Sequence, residues 1–498
     1  MEFNRRYNYN DLNNLSMLAL SSHISNEDYE RLNKMRIAFN FYDGFHWEDI
    51  PAQDKPEITE NYCRTYVNKF IAFEFGRGFN FKTDNDTRKK SVNEEGQDSF
   101  DYLNSIWEDN KQELFCTELG QMKSITGEGW VQVKYYSPEQ IKDPYGKYPK
   151  GRIRVSVIPS AVVFPIYDQH EKDDLIQLTI QYPIEIREET PIMRRTRLKT
   201  EIYKQIWTTE KVEIWEGGVK TLDIPNTYGV IPFVQIKNLP VAGRNEGLSD
   251  LDDLIPLNME LNMKKSDISE IIDYHSAPIT IIFGAKIGSL EKGANKIWGG
   301  LPKESKVENL KLEGDLTASV SYTKELKLTM SEIAGVPEGA LGGTQAISNT
   351  SGIALQYSNL PLTEKTKLKK RSSKVGLEEV NRLILLISLQ ENLISIPEGV
   401  TLKQFYYNEV TIPDSLPKDL LIELQAIEQE MRLGLENRKG AMTRLNREDI
   451  DLKLADIDRD REENPEIYDI QETQVNSGIT NGQTNIEKVR KEIQGKNG

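Results

Sequence analysis

The sequence predicts an α+β fold, and three observations carry that prediction. The first quarter repeats apolar residues at helical spacing. From Gly129 to Trp215 apolar and polar residues alternate as they do in half-buried strands. From Leu251 to Ala334 two helical stretches bracket a short insert rich in glycine and strand formers.

The helices come first. Glu27 to Phe41 reads as a helix capped by Ser25 or Asn26 and ended by Tyr42-Asp43-Gly44. Asn61 to Phe75 is a second, with Gly76 placed to stop it. Its Tyr62, Tyr66, Val67, Phe70, Ile71 and Phe73 could stack on bases, but at this spacing they read better as core. Asp84 to Gly96 is polar and reads as a surface loop, and Ser99 to Thr126 resumes as helix with a break near Asp109-Asn110.

Strand patterns follow at Trp130–Tyr136, Arg152–Ile158 and Leu175–Tyr182, and Lys199–Trp207 with Lys211–Trp215 makes a hairpin before Glu216-Gly217-Gly218. Arg187 to Lys199 is locally basic through Arg194, Arg195, Arg197 and Lys199; it could touch nucleic acid, but it reads better as a solvated loop.

A long helix then runs from Leu251 to Tyr274, with Ser249 as its N-cap and Asp250, Asp252 and Asp253 in the first turn, where carboxylates suit the helix dipole. Pro256 should kink it. Leu254, Leu257, Leu261, Ile268 and Ile272 fall on one face, and Asp253, Glu260 and Asp267 form an acidic stripe beside it. The insert starts with a strand, Pro278 to Phe283, that carries Ile279, Ile281 and Phe283. It continues through five glycine positions (Gly284, Gly288, Gly293, Gly299, Gly300) and Trp298, and ends in a second strand, Lys306 to Leu312. Leu316 to Ala334 returns to helix and stops at Gly335-Val336-Pro337.

Next comes a small, polar, glycine-rich loop that includes Gly342, Gly343, Thr344, Gln345, Ser348 and Asn349. No lysine follows its glycines in the GxxxxGK[ST] pattern, so it is not a nucleotide-binding P-loop. Gly352 to Leu393 reads as a long helix interrupted at Pro361. Its middle carries Lys365, Lys367, Lys369, Lys370, Arg371 and Lys374, of which Lys367, Lys370, Arg371 and Lys374 share a face. Two readings compete for that run: an ordinary solvated face, or a row of candidate phosphate contacts at Lys365, Lys367, Lys370, Arg371 and Lys374. Leu383 to Ile387 is apolar and should be buried, against a neighbouring subunit or the strand-rich region. Ile396 to Asp414 has strand character, Leu416-Pro417-Lys418-Asp419 opens a helix through Leu435, and Thr443 to Asn464 holds a highly charged helix. Beyond Pro465 the chain is polar and rich in Asn, Gly and Gln.

The net charge of −15 argues against an ordinary nucleic-acid binder, which displays a basic footprint. Two cysteines, Cys63 and Cys116, exclude a disulfide framework and suit a reducing cytoplasm. No apolar run is long enough to span a membrane, and Met1-Glu2-Phe3-Asn4-Arg5-Arg6 leads into Asn-rich sequence, not a signal core. His23, His46, His170 and His275 are scattered without a metal-site spacing, so no cofactor, metal site or catalytic constellation is expected. One enzymatic alternative stays open: a metal-dependent nucleic-acid-processing enzyme whose carboxylates come from the helix at Asp250, the Asp252-Asp253 pair among them, and from elsewhere in the chain.

The order Asn226-Thr227-Tyr228-Gly229-Val230-Ile231-Pro232-Phe233, Gly247-Leu248-Ser249-Asp250, Leu257-Asn258 and Ala334-Gly335-Val336-Pro337 resembles the tailed-bacteriophage portal proteins. It looks most like the type found in siphophages of Gram-positive bacteria, over nearly the whole chain from Tyr42-Asp43-Gly44 to Asn464. The resemblance implies a wing (1–249), stem helices (250–277 and 314–336) and a clip (278–313) that includes Ile279, Ile281, Phe283 and Trp298. It further implies a DNA-facing tunnel loop (337–352), a long kinked helix (353–395), a crown (396–464) and a C-terminal tail (465–498). By the same resemblance the protein is a homo-oligomeric ring of about twelve subunits at one capsid vertex of the virion, assembled in the host bacterial cytoplasm. Its implied partners are double-stranded DNA in the channel, the terminase large subunit, a head–tail adaptor, and the major capsid and scaffolding proteins. It implies no enzymatic activity of its own and no membrane.

Overall fold

The computed structural model describes residues 25–51, 56–83, 98–171, 174–189, 196–276, 280–283, 306–309, 316–342, 357–396, 399–414, 420–445 and 450–463. The chain divides into two compact units, Met1–Leu416 and Pro417–Gly498.

In the first unit, α1 (Asn26–Asp43) is capped by Ser25, whose hydroxyl accepts the Asp28 N–H at 3.0 Å. It stops at Gly44, held at φ 96°, a conformation that costs glycine least. Helix α2 (Tyr62–Phe75) is capped by Asn61 and leads to β1 (Asn80–Thr83). The break expected near Asp109-Asn110 is present: α3 (Ser99–Asp109) and α4 (Gln112–Thr126) are separated at Lys111, which has φ 54°.

Eight strands follow: β2 (Glu128–Tyr136), β3 (Arg152–Ile158), β4 (Val163–Tyr167), β5 (Leu175–Glu189), β6 (Thr196–Thr208), β7 (Lys211–Glu216), β8 (Val219–Pro225) and β9 (Phe233–Lys237). They form two antiparallel sheets, β3-β2-β9 and the meander β4-β5-β6-β7-β8. The short strands β10 (Leu239–Pro240) and β11 (Gly247–Leu248) pair and lead into α5 (Leu254–Ser276). Strands β12 (Thr280–Phe283) and β13 (Lys306–Asn309) pair antiparallel between α5 and α6 (Leu316–Ala334). Helix α7 (Leu360–Gln390), the single turn α8 (Leu402–Phe405) and β14 (Asn408–Thr411) complete this unit. In the second unit lie α9 (Leu420–Arg432), α10 (Arg438–Arg444) and α11 (Ile450–Glu463).

Three apolar clusters hold the first unit. Trp130 and Phe233 of the β2/β9 sheet meet Leu178, Ile180, Trp207 and Val212 of the meander, with the Trp207 and Phe233 rings 5.7 Å apart and near edge-on. The other side of β2 and β9 packs on α3, α4 and α7 through Val131, Val133, Trp107, Leu377 and Ile384. Tyr66, Val67 and Phe70 of α2 are fully buried with residues of α1, α5 and α6, so these aromatics are core. Strand β14 returns from far along the chain to pair with β1, Phe81 opposite Val410.

Several expectations are corrected. Pro256 stands in the first turn of α5, where no intrahelical N–H is needed, and so it starts the helix instead of kinking it. The interruption expected at Pro361 is present, with Tyr357 and Ser358 helical, Asn359 a turn and α7 beginning at Leu360. Much of the basic stretch from Arg187 to Lys199 is strand: β5 and β6 stay paired as far as Glu189 opposite Thr196. Phe405 and Tyr406 belong to the α8 turn and not to a strand, which occupies only Asn408–Thr411. Of the two burial sites expected for Leu383 to Ile387, the strand-rich region is the one found: the stretch packs in the cluster with Val131, Val133 and Ile236. The charged helix expected after Thr443 is present from Ile450 to Glu463, while residues 446–449, expected to start it, lie outside the described residues; Arg438–Arg444 forms a separate helix.

Candidate functional site

The α5–β12–β13–α6 hairpin is the most distinctive part of the chain, and what grips its base comes directly from sequence. The buried face of α5 is rotated from the all-aliphatic stripe expected: Leu254 and Leu261 are buried, but so are Asn258, Asn262 and Ser266, whereas Ile272 is 48% exposed. Spaced four residues apart, those three polar side chains project from one face. Asn258 Oδ1 accepts the backbone N–H of Tyr62 at 3.0 Å and of Cys63 at 3.2 Å, and its Nδ2 donates to the Glu60 carbonyl at 2.8 Å. Asn262 Oδ1 accepts the Glu60 N–H at 3.0 Å, and Ser266 Oγ accepts the Ile58 N–H at 3.1 Å. The segment before α2 thus finds on α5 the backbone partners that a neighbouring strand would otherwise supply.

Asn262 also fixes the tautomer of buried His46. Its amide donates to Nδ1 at 2.6 Å, leaving Nε2–H to donate to the Phe41 carbonyl at 2.8 Å. Burial pushes the His46 pKa down, and the Arg64 guanidinium adds to the effect against the pull of the Phe41 carbonyl. Glu60 completes the clasp by pairing with Lys265 of α5 at 3.3 Å and Lys327 of α6 at 2.7 Å, tying both helices to one carboxylate.

At the entry to α5 lies a buried ionic cluster. Ser249 does not cap α5: its hydroxyl accepts the Leu251 N–H at 3.0 Å and donates to the Ile125 carbonyl at 2.7 Å, pinning the chain to the end of α4. Asp250, expected in the first helical turn, is instead fully sequestered. Its Oδ2 receives Lys369 of α7 at 2.6 Å, and Oδ1 lies 3.3 Å from Lys365. Lys369 also donates to Ser124 Oγ at 2.8 Å and sits 3.7 Å from Glu74 of α2. Glu74 in turn holds the buried Lys123 of α4 at 2.5 Å and accepts the Ser373 hydroxyl at 2.7 Å. Two carboxylates therefore face three ammonium groups at the junction of α2, α4, α7 and the α5 entry. Burial pushes Asp250 up, but Lys369 and Lys365 outweigh it and hold its carboxyl below the usual range. Burial lowers Lys123, with Glu74 opposing.

This pairing bears on the enzymatic alternative, because a lysine ammonium occupies the place where a metal would meet Asp250. Among the described residues no group of three or more His, Cys, Asp or Glu could hold a metal ion. Both cysteines are buried, with thiol pKa values pushed up to about 12 by desolvation. Among the described residues no helix is long and apolar enough to cross a membrane.

The remaining sequence candidates are placed as follows. In the acidic stripe, Asp253 precedes α5 and is exposed, while Lys264 lies 3.7 Å from Glu260 and 3.4 Å from Asp267 and partly neutralises both. Ile281 and Phe283 lie on β12, with Phe283 53% exposed, whereas Ile279 and Trp298 lie outside the described residues. Gly342 is exposed with φ 90°, and Gly343, Thr344, Gln345, Ser348 and Asn349 lie outside the described residues. The basic run of α7 does not present one continuous face. Lys365 is drawn to Asp250, Lys370 to Asp414 at 3.1 Å, and Lys374 to Glu409 of β14 at 3.1 Å. Lys367 and Arg371 stay exposed, without an ion pair among the described residues.

The asparagine grip and the ionic cluster were missed in the sequence, although one signal for the first was available. Two asparagines four residues apart inside a helix, in line with its leucines, are poor helix formers that need a reason to be there.

A family model described as phage portal protein, SPP1 Gp6-like, matches residues 20–466. No curated protein matches the chain. Among solved structures, one described as the neck of a native GTA particle computed with C12 symmetry is similar at 13% identity and a TM-score of 0.38. That match covers 77% of this chain and 89% of the other.

Proposed function

This chain belongs to the SPP1 Gp6-like family of phage portal proteins, and from that membership we propose that it forms a ring of about twelve copies around a DNA channel at one capsid vertex of the virion. Its role there is mechanical and electrostatic. The ring passes double-stranded DNA during packaging by the terminase motor, retains it, releases it at ejection, and joins head to tail through an adaptor protein. Major capsid and scaffolding proteins surround it during assembly in the host cytoplasm, and ATP hydrolysis is left to the motor. Within the family the motif order from Asn226 to Pro337 favours the type of siphophages of Gram-positive bacteria.

The observation that carries this reading is the hairpin: a 23-residue helix, a two-stranded insert and a 19-residue return helix, clasped at its base to the rest of the subunit. In this proposal α5 and α6 are the stem, and the insert 278–313 is the clip where motor and adaptor dock. Two paired strands of four residues cannot hold an independent core, so neighbouring copies complete it. The wing is 1–249, the long helix spans 353–395, the crown is 396–464 and the tail 465–498. The loop with Gly342, Gly343, Thr344, Gln345, Ser348 and Asn349 lies nearest to DNA. Its amides and hydroxyls make weak contacts to phosphate without reading sequence. Asp253, Glu260 and Asp267 contribute to a wall that is acidic or neutral, over which DNA slides.

Negative-stain imaging and native mass measurement of the purified full chain test the reading. A ring with a central hole and a mass near about twelve times 57.1 kDa is expected. Monomers or dimers alone, across low and high salt, would overturn it.

A further inference from the structure

Two exposed helical strips in the first unit carry, on balance, opposite charge around exposed aliphatic side chains, although Lys324 borders the first and Glu364 the second. On α6, Glu325, Leu328 and Glu332 fall in one row by steps of three and four residues, and Leu328 is 48% exposed. On α7, Lys367, Leu368, Arg371 and Val375 fall in another, with Leu368 51% and Val375 66% exposed. Neither strip satisfies the other within the chain: among the described residues Glu325, Glu332, Lys367 and Arg371 are all exposed and none makes an ion pair.

The α7 strip differs in kind from its neighbours. Lys365, Lys370 and Lys374, which bracket it, are turned onto carboxylates of their own subunit. The two cations left over are those interleaved with exposed Leu368 and Val375. Aliphatic side chains between two cations gain nothing from a phosphate backbone, whereas a helix bearing leucine between two carboxylates buries them and pairs with the charges.

We infer that the α7 strip of one copy docks on the α6 strip of the next. Helices packed at the usual 8–10 Å would bring Leu328 against Leu368 and Val375, with Glu325 and Glu332 alongside Lys367 and Arg371. Because the two strips differ, the contact is head-to-tail: each copy uses one strip for each neighbour, and the series runs on until it closes. The inference rests on the ring reading above and names the side chains that make the contact.

Charge reversal tests it in the full-length protein. Lys367→Glu with Arg371→Glu is one variant, and Glu325→Lys with Glu332→Lys is the other. All four positions are exposed, so each variant should melt as the parent does. Each alone should raise the concentration needed for ring assembly by about tenfold or more, since like charges then face each other across the contact. Carrying all four changes in one chain should restore rings. So should mixing the two double variants, and those mixed rings should contain equal numbers of each, alternating, by native mass. If the parent makes no rings, both this inference and the ring reading fall. If the parent and both variants form rings at the same concentration, only this inference falls. In that case a loss of DNA packaging or retention in the Lys367/Arg371 variant would assign the strip to DNA, and normal packaging would leave it solvated.

Discussion

The ionic cluster at the α5 entry should control the stability of the first unit, and Lys369→Met tests this most directly. The substitution keeps side-chain length but removes an ammonium that is 2.6 Å from Asp250, 2.8 Å from Ser124 Oγ and 3.7 Å from Glu74. Breaking a buried pair by removing one partner costs about 3–5 kcal/mol, because the other charge stays buried. Here Asp250 keeps Lys365 at 3.3 Å and Glu74 keeps Lys123, so the cost should fall near the lower end, about 3 kcal/mol. Adding Asp250→Asn removes the stranded carboxylate and frees Lys365 to turn toward solvent. The double variant should therefore lose less than the sum of the two singles by about 2 kcal/mol. Guanidinium unfolding followed by the buried Trp107, Trp130 and Trp207 reads these differences. The sign with pH is also fixed. The folded pKa of Asp250 lies below its ordinary value, so its contribution is present above about pH 4 and lost as pH falls through the folded value. Asp250→Asn should flatten that acid slope. A Lys369→Met protein within about 0.5 kcal/mol of the parent would refute the reasoning.

Two further outcomes follow from the packing. His46 is held neutral between Asn262 and Phe41, with its folded pKa lowered by burial, so its contribution is present above about pH 6.5 and lost on acidification below it. Melting temperatures measured from pH 7 to pH 5 should fall for the parent, and the slope should flatten in His46→Gln; equal slopes would remove His46 from the account. Gly376→Ala should destabilise by about 1–3 kcal/mol in chemical unfolding despite alanine's better helix propensity. The new Cβ would lie 2.5 Å from Ile236 Cγ1 where α7 crosses β9, and an unchanged midpoint would mean the crossing can widen.

Much of the fold was legible because it is local. The strand pair of the insert, the cap at Ser25 and the stop at Gly44 each follow from a few neighbouring residues whose backbone demands are read directly. The misplaced kink came from counting Pro256 as interior to a helix that begins two residues before it. The base of the hairpin was not legible, because its partners are far apart in sequence. Asp250 meets Lys369 across 119 residues, and Asn258 meets the Tyr62 backbone across 196. In sequence Lys369 is one more cation in a basic run. Only tertiary packing separates it, fully buried, from exposed Lys367 and Arg371.

The grip on α5 is uneven along its length, and that has a mechanical consequence. Leu254, Asn258, Leu261, Asn262 and Ser266 are buried, while Glu270, Ile271, Ile272 and Asp273 stand exposed in a single subunit. Helix α6 mirrors this, buried at Leu326, Met330 and Ala334 and open at Thr317, Ala318 and Val320. The hairpin resembles a cantilever held at its base, with roughly 15 Å of α5, from Asp267 to Ser276, beyond that grip. Deflection under a sideways force grows as the cube of free length, so bending concentrates just beyond Ser266 while the clamped turns stay still. A single subunit therefore bends most readily where α5 leaves that grip, on a stiff root. In the proposed ring, bracing of the outer α5 turns by the neighbouring copy would turn a set of soft beams into a rigid collar.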